Sequence, residues 1–290
     1  MFRLKGVHLG RGLRGVDLVL PTGACVAVTG ANGAGKSSLL AVLAGVLPVE
    51  AGSVERCLVV EREVLAHPGL RPALAASFLP EGAPMDRGLR VAELQAIHRG
   101  RPDWDPELAD RAWTELGVDR ARRCSELSMG QRVRLGLWLA LSRNTGLWIL
   151  DDPFLGLDSA SRAAALRWIA VRSGQGTVVF STHDAPAMER LASHIVVLVA
   201  GRVAVAEELE AWRVRWRSLR VRGMVPQAVE GLQIRSRRLG LVDAVEELIV
   251  EDLDGQGIER LRRAGIHAEV GAMPLSEVLA MTVADVRVQP

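Results

Sequence analysis

One stretch near the start of the chain limits what it can fold into more than any other. Residues 25–29 (Cys-Val-Ala-Val-Thr) read as a short buried strand. Gly30-Ala31-Asn32-Gly33-Ala34-Gly35-Lys36-Ser37 follows, and residues 37–47 read as a helix stopped by Pro48. A G-x-x-x-x-G-K-[ST] loop between a strand and a helix is a cradle for phosphate. The glycines let the backbone curl so that successive N–H groups point inward. The helix N-terminus adds a partial positive charge. Lys36 then reaches the outer phosphates, and the Ser37 hydroxyl is placed to ligate Mg²⁺. A glycine-rich turn that merely started a helix would not need the lysine, and Lys36 is one of only two lysines, with Lys5.

A second apolar strand, residues 147–150 (Leu-Trp-Ile-Leu), ends in Asp151 and Asp152, and a third spans residues 177–181. Helical sequence between them predicts βαβ connections and a parallel sheet. Carboxylates at the C-terminal end of a buried strand suit a Mg²⁺–phosphate site at the sheet edge. Asp151 would hold the metal's hydration shell. Asp152, pointing to the other face, would polarise an attacking water. Taken alone the pair would serve equally as a solvated strand end or a helix cap. Residues 84–140 are mostly helical in pattern, broken at 100–106. Residues 195–199 and 203–205 read as a hairpin.

The character changes near residue 210. Trp212, Val214 and Trp216 alternate with Arg213, Arg215 and Arg217, which predicts a half-buried strand. Its arginine face is either solvated or turned toward anionic lipid headgroups. Residues 255–263 read as a helix and 267–270 as a strand, so the tail is expected to be a small α/β module.

With 290 residues, 49% of them hydrophobic, the chain can build one large domain and an appendage. A net charge of +2 supplies no field toward nucleic acid. Cys25, Cys57 and Cys124 are far apart and form no C-x-x-C pair, so neither a zinc site nor a disulfide framework is signalled, and a reducing cytosol fits. The N-terminus has no apolar signal segment. The longest apolar runs, 39–49 and 195–200, fall short of the ~20 residues that span a bilayer. Any membrane crossing falls to another polypeptide.

These motifs together resemble the ABC ATPase family. Residues 30–38 resemble its Walker A motif, and Leu127-Ser128-Met129-Gly130-Gln131 its LSGGQ signature, with Met129 at the third position. Residues 147–152 resemble Walker B, 153–158 the D-loop, and Ser181-Thr182-His183-Asp184 the switch-histidine motif, all in the family's order. The resemblance covers about residues 1–210. It implies an α/β P-loop NTPase (RecA-like) core with a mostly parallel sheet. An N-terminal antiparallel β subdomain, a helical signature subdomain at about 84–140 and a C-terminal α/β appendage at 211–290 complete the expected fold. It implies that Gly30, Ala31, Asn32, Gly33, Ala34, Gly35, Lys36, Ser37 and Ser38 hold ATP. Mg²⁺ is assigned to Ser37, Asp151 and Glu81, and catalysis to Asp152, His183 and Lys36. Two such subunits, identical or not, close head to tail, so that Ser128 and the Gly130 N–H contact the nucleotide bound to the other, and Gln131 and Asp158 are counted with the nucleotide-binding residues. The implied partner is a transmembrane permease, with this chain peripheral on the cytoplasmic side of the membrane.

The sequence departs from the family pattern at three places. Asp152 stands where Glu is usual, and one methylene less withdraws the carboxylate by roughly 1 Å, a misplacement that can cost on the order of 10²-fold. A slow ATPase is expected. Phe78-Leu79-Pro80-Glu81 occupies the Q-loop, putting Glu81 where Gln is usual. No Tyr is available to stack on adenine, and His8 lies nearest the expected place, with Phe2 the only other upstream aromatic. Residues 101–106, the form of residues 151–158 and the tail 273–279 resemble exporter ATPases with a separate permease. Two other readings stand beside this one. A soluble ABC ATPase that moves no solute would usually carry a long coiled coil or two ATPase halves, yet Walker A and the signature are here under a hundred residues apart. A degenerate subunit of a heterodimer would account for Asp152 and Glu81.

Overall fold

Strand β3 (Cys25–Gly30), which runs into the glycine loop, is buried along its whole length. In this computed structural model it lies between β7 (Thr177–Ser181) and β8 (His194–Val199), parallel to both. Strands β6 (Leu147–Leu150) and β5 (Ser77–Leu79) continue the sheet in parallel beyond β7, and β9 (Arg202–Glu208) flanks β8. The apolar runs in β3, β6 and β7 are continuous because such a sheet is buried on both faces. Between β8 and β9 only Ala200 and Gly201 intervene, at φ 48° and 82°, the left-handed pair that a tight hairpin needs. The structure describes residues 2–10, 12–56, 76–222, 233–239, 245–253, 255–263 and 266–288; Cys57 lies outside them. The chain divides into two compact units, Met1–Ala206 and Glu207–Pro290.

A second sheet in the first unit is antiparallel: β1 (Phe2–Leu9) lies between β2 (Leu13–Leu20) and β4 (Ala51–Arg56). One apolar cluster joins it to the parallel sheet and to helix α1 (Lys36–Ala44). Leu4 and Val16 meet Val26, Leu40, Ile149 and Val196 in it. The helix ends earlier than expected. Gly45, at φ 74°, closes it by donating to Ala41 O and Val42 O, so the stop is a left-handed glycine cap rather than Pro48.

The helical region contains α2 (Val91–Arg99), α3 (Pro106–Leu116) and α4 (Met129–Leu141). The break before α3 is a clamp. Asp105 caps α3 by accepting from Leu108 N, and Pro106 takes the first helical position. Asp103 pairs with Arg143 at 2.6 Å. Asp105 also pairs, at 3.2 Å, with Arg172 of α5 (Ser159–Ser173), which is only 1% exposed. Arg172 donates further to Leu141 O at 2.7 Å and Gln175 Oε1 at 2.6 Å, and lies 4.9 Å over the Trp148 ring. Trp104 meets Trp138 edge-on, 5.0 Å between centroids. The run at 101–106 thus locks the start of α3 to α4, α5 and β6.

In the second unit, β10 (Trp216–Arg222), β11 (Gln233–Leu239), β12 (Val245–Glu251) and β13 (Ala268–Ala272) form an antiparallel sheet in the order β11-β12-β10-β13. Leu219, Val221, Leu248, Val250 and Leu261 make its core, the last from α8 (Gly255–Arg263). Helices α7 (Leu209–Val214) and α9 (Leu275–Val288) flank the strands in sequence. The strand expected across Trp212–Trp216 is instead the end of α7 followed by the start of β10. A spacing of four keeps two residues on one side in either geometry, and both tryptophans are buried. Arg213 and Arg215 pair with Glu210 and Glu207, so they do not form the unpaired cationic face that a lipid surface would recruit.

Removing one partner of a buried ion pair leaves the other charge uncompensated. Arg172→Ala is therefore expected to lower the unfolding free energy by about 3–5 kcal/mol, read as a fall in the urea midpoint of tryptophan fluorescence.

Candidate nucleotide-binding site

The glycine loop is shaped by backbone contacts that exclude side chains. Gly30 sits at φ 145°, where an added Cβ would lie 2.2 Å from Leu198 O. Gly35, at φ 102°, faces Gly12 O, which an added Cβ would approach to 2.1 Å. Gly201 N donates to Ala34 O at 3.0 Å and ties the loop to the β8–β9 turn. Helix α1 starts at Lys36 with no side-chain cap and no acid in its first turn. Its leading N–H groups are left for an anion. The Lys36 ammonium folds back over its own loop, donating to Gly30 O at 2.9 Å and Ala31 O at 3.1 Å. Burial holds it below the usual lysine pKa, against the opposing pull of Asp151, Asp152 and Glu81.

A cavity of about 570 Å³ opens over this loop. Asn32, Gly33, Gly35, Lys36, Ser37 and Ser38 line it from the loop side, while Gly30, Ala31 and Ala34 do not border it. Glu81, Asp151, Asp152 and His183, distant from the loop in sequence, share it. Asp151 is 4% exposed, and its N–H donates to Leu79 O at 2.8 Å, continuing the β5–β6 pairing. Ser181 holds both aspartates. Its hydroxyl donates to Asp151 Oδ1 at 2.5 Å, and its oxygen accepts from Asp152 N at 2.8 Å. Asp152 has a left-handed backbone, φ 45°. Burial raises its pKa, His183 and Lys36 oppose the rise, and Glu81 and Asp151 add to it. Burial, then Lys36, pushes His183 below the usual histidine value, which favours the neutral imidazole at pH 7.

Gly12, Leu155, Ser181 and Thr182 also border the cavity, though none was singled out from sequence as a site residue. Ser181 was legible as the last residue of a predicted strand within the switch-histidine motif. Gly12 carried no signal, because its position depends on the β1–β2 turn packing against the loop. His8 is exposed on β1 opposite Arg14 and does not border the cavity. A shift in strand register between Val7 and His8 accompanies this, and an added Cβ on Gly15 would lie 3.2 Å from His8 Nε2.

The signature residues are not brought to the cavity of their own chain. Ser128 caps α4: its Oγ accepts from Gln131 N at 3.3 Å, and Gln131 Oε1 accepts from Ser128 N at 3.0 Å. Gln131 Oε1 also accepts from Arg122 Nη1 at 3.0 Å. Gly130 packs against the D-loop, where an added Cβ would fall 2.2 Å from Gly156 O. Asp158 caps α5 by accepting from Ser161 N at 2.7 Å. Backbone donation at that cap lowers its pKa.

The donors suit a hard divalent cation: one hydroxyl, Ser37, and the carboxylates of Asp151 and Glu81 border the same cavity. Among the described residues no three His, Cys, Asp or Glu side chains group closely enough to hold a metal. A cation here would draw the rest of its shell from phosphate and water, the usual condition of Mg²⁺ with nucleotides.

A glycine loop feeding an uncapped helix from the middle strand of a parallel sheet, with a buried aspartate on a nearby strand, defines a P-loop nucleotide-binding domain. Residues 13–155 match the family model described as ABC transporter. The chain is 31% identical over 200 residues to the hemin import ATP-binding protein HmuV of Thermobifida fusca (strain YX), covering 65% of this chain and 69% of that protein. It is 34% identical over 211 residues to the aliphatic sulfonates import ATP-binding protein SsuB 2 of Xanthomonas axonopodis pv. citri (strain 306), covering 70% and 69%. To the manganese transport system ATP-binding protein MntB of Bacillus subtilis (strain 168) it is 27% identical over 205 residues, covering 66% and 79%. In fold it is similar to an ATP-binding subunit of an ABC transporter, with TM-score 0.64 and 23% identity over 74% of this chain and 92% of that one. A dimeric ATP-binding cassette in a post-hydrolysis state with ADP and Pi is similar at TM-score 0.58 and 22% identity, over 72% and 99%. The chain belongs to the ABC transporter ATP-binding proteins. Two of the three named relatives are import proteins and none is named an exporter, so the expectation of an exporter finds no support in them.

The Gly130–Gly156 contact leaves no room for a methyl group. Gly130→Ala is expected to displace the D-loop and lower ATP turnover on the order of 10²-fold. Fluorescent-nucleotide titration of the same variant should show nucleotide binding retained.

Proposed function

We propose that this chain is an ATP-hydrolysing subunit that drives a separately encoded membrane permease through ATP-dependent dimerisation. One observation carries the reading. The cavity gathers the phosphate loop, Asp151, Asp152 and His183, while Ser128 and Gly130 of the same chain lie outside it. The site is half-built, and a second copy turned head to tail supplies the missing half. Ser128 at the start of α4 has the chemistry for this: its oxygen is occupied by the cap, and its hydroxyl hydrogen remains to donate to a γ-phosphate.

In the closed state the uncapped α1 amides and Lys36 take the phosphates, Lys36 exchanging its own loop carbonyls for β and γ oxygens. Ser37 and Asp151 would hold Mg²⁺, which when bound neutralises phosphate charge. Asp152 accepts a hydrogen bond from the attacking water, and a neutral His183 orients that water against the γ-phosphate. The short reach of Asp152 makes the reaction slow. No described helix is long and apolar enough to cross a membrane. That fits a chain working at the cytoplasmic face beside a permease, as the relatives' transport names suggest. The part after residue 210 serves as an accessory domain. Direction of transport forms no part of the proposal.

The purified chain tests this. Lys36→Ala is expected to abolish ATP binding. Asp152→Asn should stall hydrolysis and accumulate an ATP-bound dimer on size exclusion, whereas Asp152→Glu should raise turnover. Hydrolysis by the Asn variant at the wild-type rate would remove Asp152 from the mechanism. A wild-type chain that binds ATP yet neither dimerises nor hydrolyses it would be the binding half of a heterodimer instead.

A further inference from the structure

One buried hydroxyl stands between the two aspartates and serves both. Ser181, the last residue of β7, is 1% exposed and borders the cavity. An ionised carboxylate only accepts hydrogen bonds, and a backbone N–H only donates; a hydroxyl does either. Ser181 does both at once, donating to Asp151 Oδ1 at 2.5 Å and accepting from Asp152 N at 2.8 Å. Alanine in its place would leave both groups without these partners, and cysteine would offer only a weak donor and a weak acceptor.

The hydroxyl is carried on a strand end fixed from both sides. On one side Ser181 lies opposite Val28 of β3, the strand that leads into the phosphate loop, and Thr182 N donates to Val28 O at 3.1 Å. On the other side Phe180 lies opposite Leu150 of β6, so Ser181 and Asp151 are the next residues of their strands. A hydrogen bond to one carboxylate oxygen restrains rotation of the group and decides how the other oxygen is presented. The bond to Asp152 N acts on the backbone instead. Together with Leu155 N, which donates to Asp152 O at 3.1 Å, it holds that residue at φ 45°, a conformation that non-glycine residues adopt at a cost. Where this backbone sits decides where the short Asp152 side chain reaches.

We infer that Ser181 is a positioning residue of the hydrolysis, setting through one hydroxyl how Asp151 presents its carboxylate to a divalent cation and where Asp152 carries its own. The inference rests on the ATP-hydrolysing reading above. Ser181 acts through the two aspartates and not on the nucleotide. Because its strand also pairs with β3, it keeps both acids in register with the phosphate loop. A hydroxyl present only to satisfy a strand end would bear on folding and leave the cation dependence of the site alone.

The test compares the full-length wild type with Ser181→Ala, Ser181→Cys and Ser181→Thr. Binding of a fluorescent ADP is measured in EDTA and against rising Mg²⁺, and ATP turnover is measured at saturating Mg²⁺. In EDTA all of them are expected to bind ADP alike, because the phosphate loop is untouched. For Ser181→Ala and Ser181→Cys the Mg²⁺ concentration giving half the effect on ADP binding should rise by about 10-fold or more, as loss of a partner behind a metal ligand does. Their kcat should fall by about 10- to 100-fold. Ser181→Thr keeps the hydroxyl and should stay within about threefold of wild type on both measures. A change in only one measure, a change in neither, or metal-free binding weakened in step with turnover would overturn the inference. So would a Ser181→Thr variant that binds ADP in EDTA yet is as impaired as Ser181→Ala. Ser181→Cys leaves no cavity and carries the test should Ser181→Ala not fold. A wild-type chain without turnover would fail on the ATPase reading, while the ADP titration still decides whether Ser181 positions Asp151.

Discussion

The nucleotide site depends on close approach between backbones. Gly30 lies against the Leu198 carbonyl and Gly35 against that of Gly12. These contacts hold the loop between the middle strand of the parallel sheet and the β1–β2 turn. The amides of α1 stay uncapped only because the loop is fixed by neighbours rather than by a capping side chain. A free helix N-terminus would otherwise recruit its own Ser or Asp. The continuous apolar strands follow from the same demand, since a loop carried by the middle of the sheet needs β3 buried on both sides.

The carboxylates obey a different constraint. At φ 45° a short Asp is better tolerated than a longer side chain, because Asp is among the few non-glycine residues that visit the left-handed region. The residue at 152 therefore fits its backbone at the expense of reach. Ser181 makes this arrangement rigid by serving Asp151 as donor and Asp152 N as acceptor. One hydroxyl thus ties the side chain of the buried aspartate to the backbone of the half-buried one.

Features whose chemistry demands particular residues were legible in the sequence. Lys36, Ser37, Asp151, Asp152, Glu81 and His183 come from four separate segments, and the fold gathers them in one cavity. The lysine after the glycines and the acids after an apolar run are exposed by residue type and spacing, whereas Glu81 and His183 carry a site role only through the family resemblance. What escaped depends on distant parts of the chain. The helix after the loop reads equally well to Pro48 or to Gly45 until the glycine's φ is known. Trp212 and Trp216 satisfy helix and strand alike at a spacing of four. Gly12 borders the cavity through packing that no local pattern encodes.

The start of α4 lies beside the turn that follows Glu81 and beside the D-loop. An added Cβ on Gly156 would lie 3.3 Å from Met129 Cγ, and one on Gly82 would lie 3.6 Å from its Sδ. Gly82 follows Glu81 directly, and Gly156 lies four residues past Asp152. Met129, where the family pattern has glycine, thus packs beside the turns bearing each acid, and Gly130 presses on the D-loop from the same helix start. In the proposed dimer, Ser128 and Gly130 grip the partner's nucleotide. The Met129 side chain and the Gly130 backbone therefore set how closely the turn after Glu81 and the D-loop can approach the start of α4, the segment that meets the partner's nucleotide in the proposed dimer.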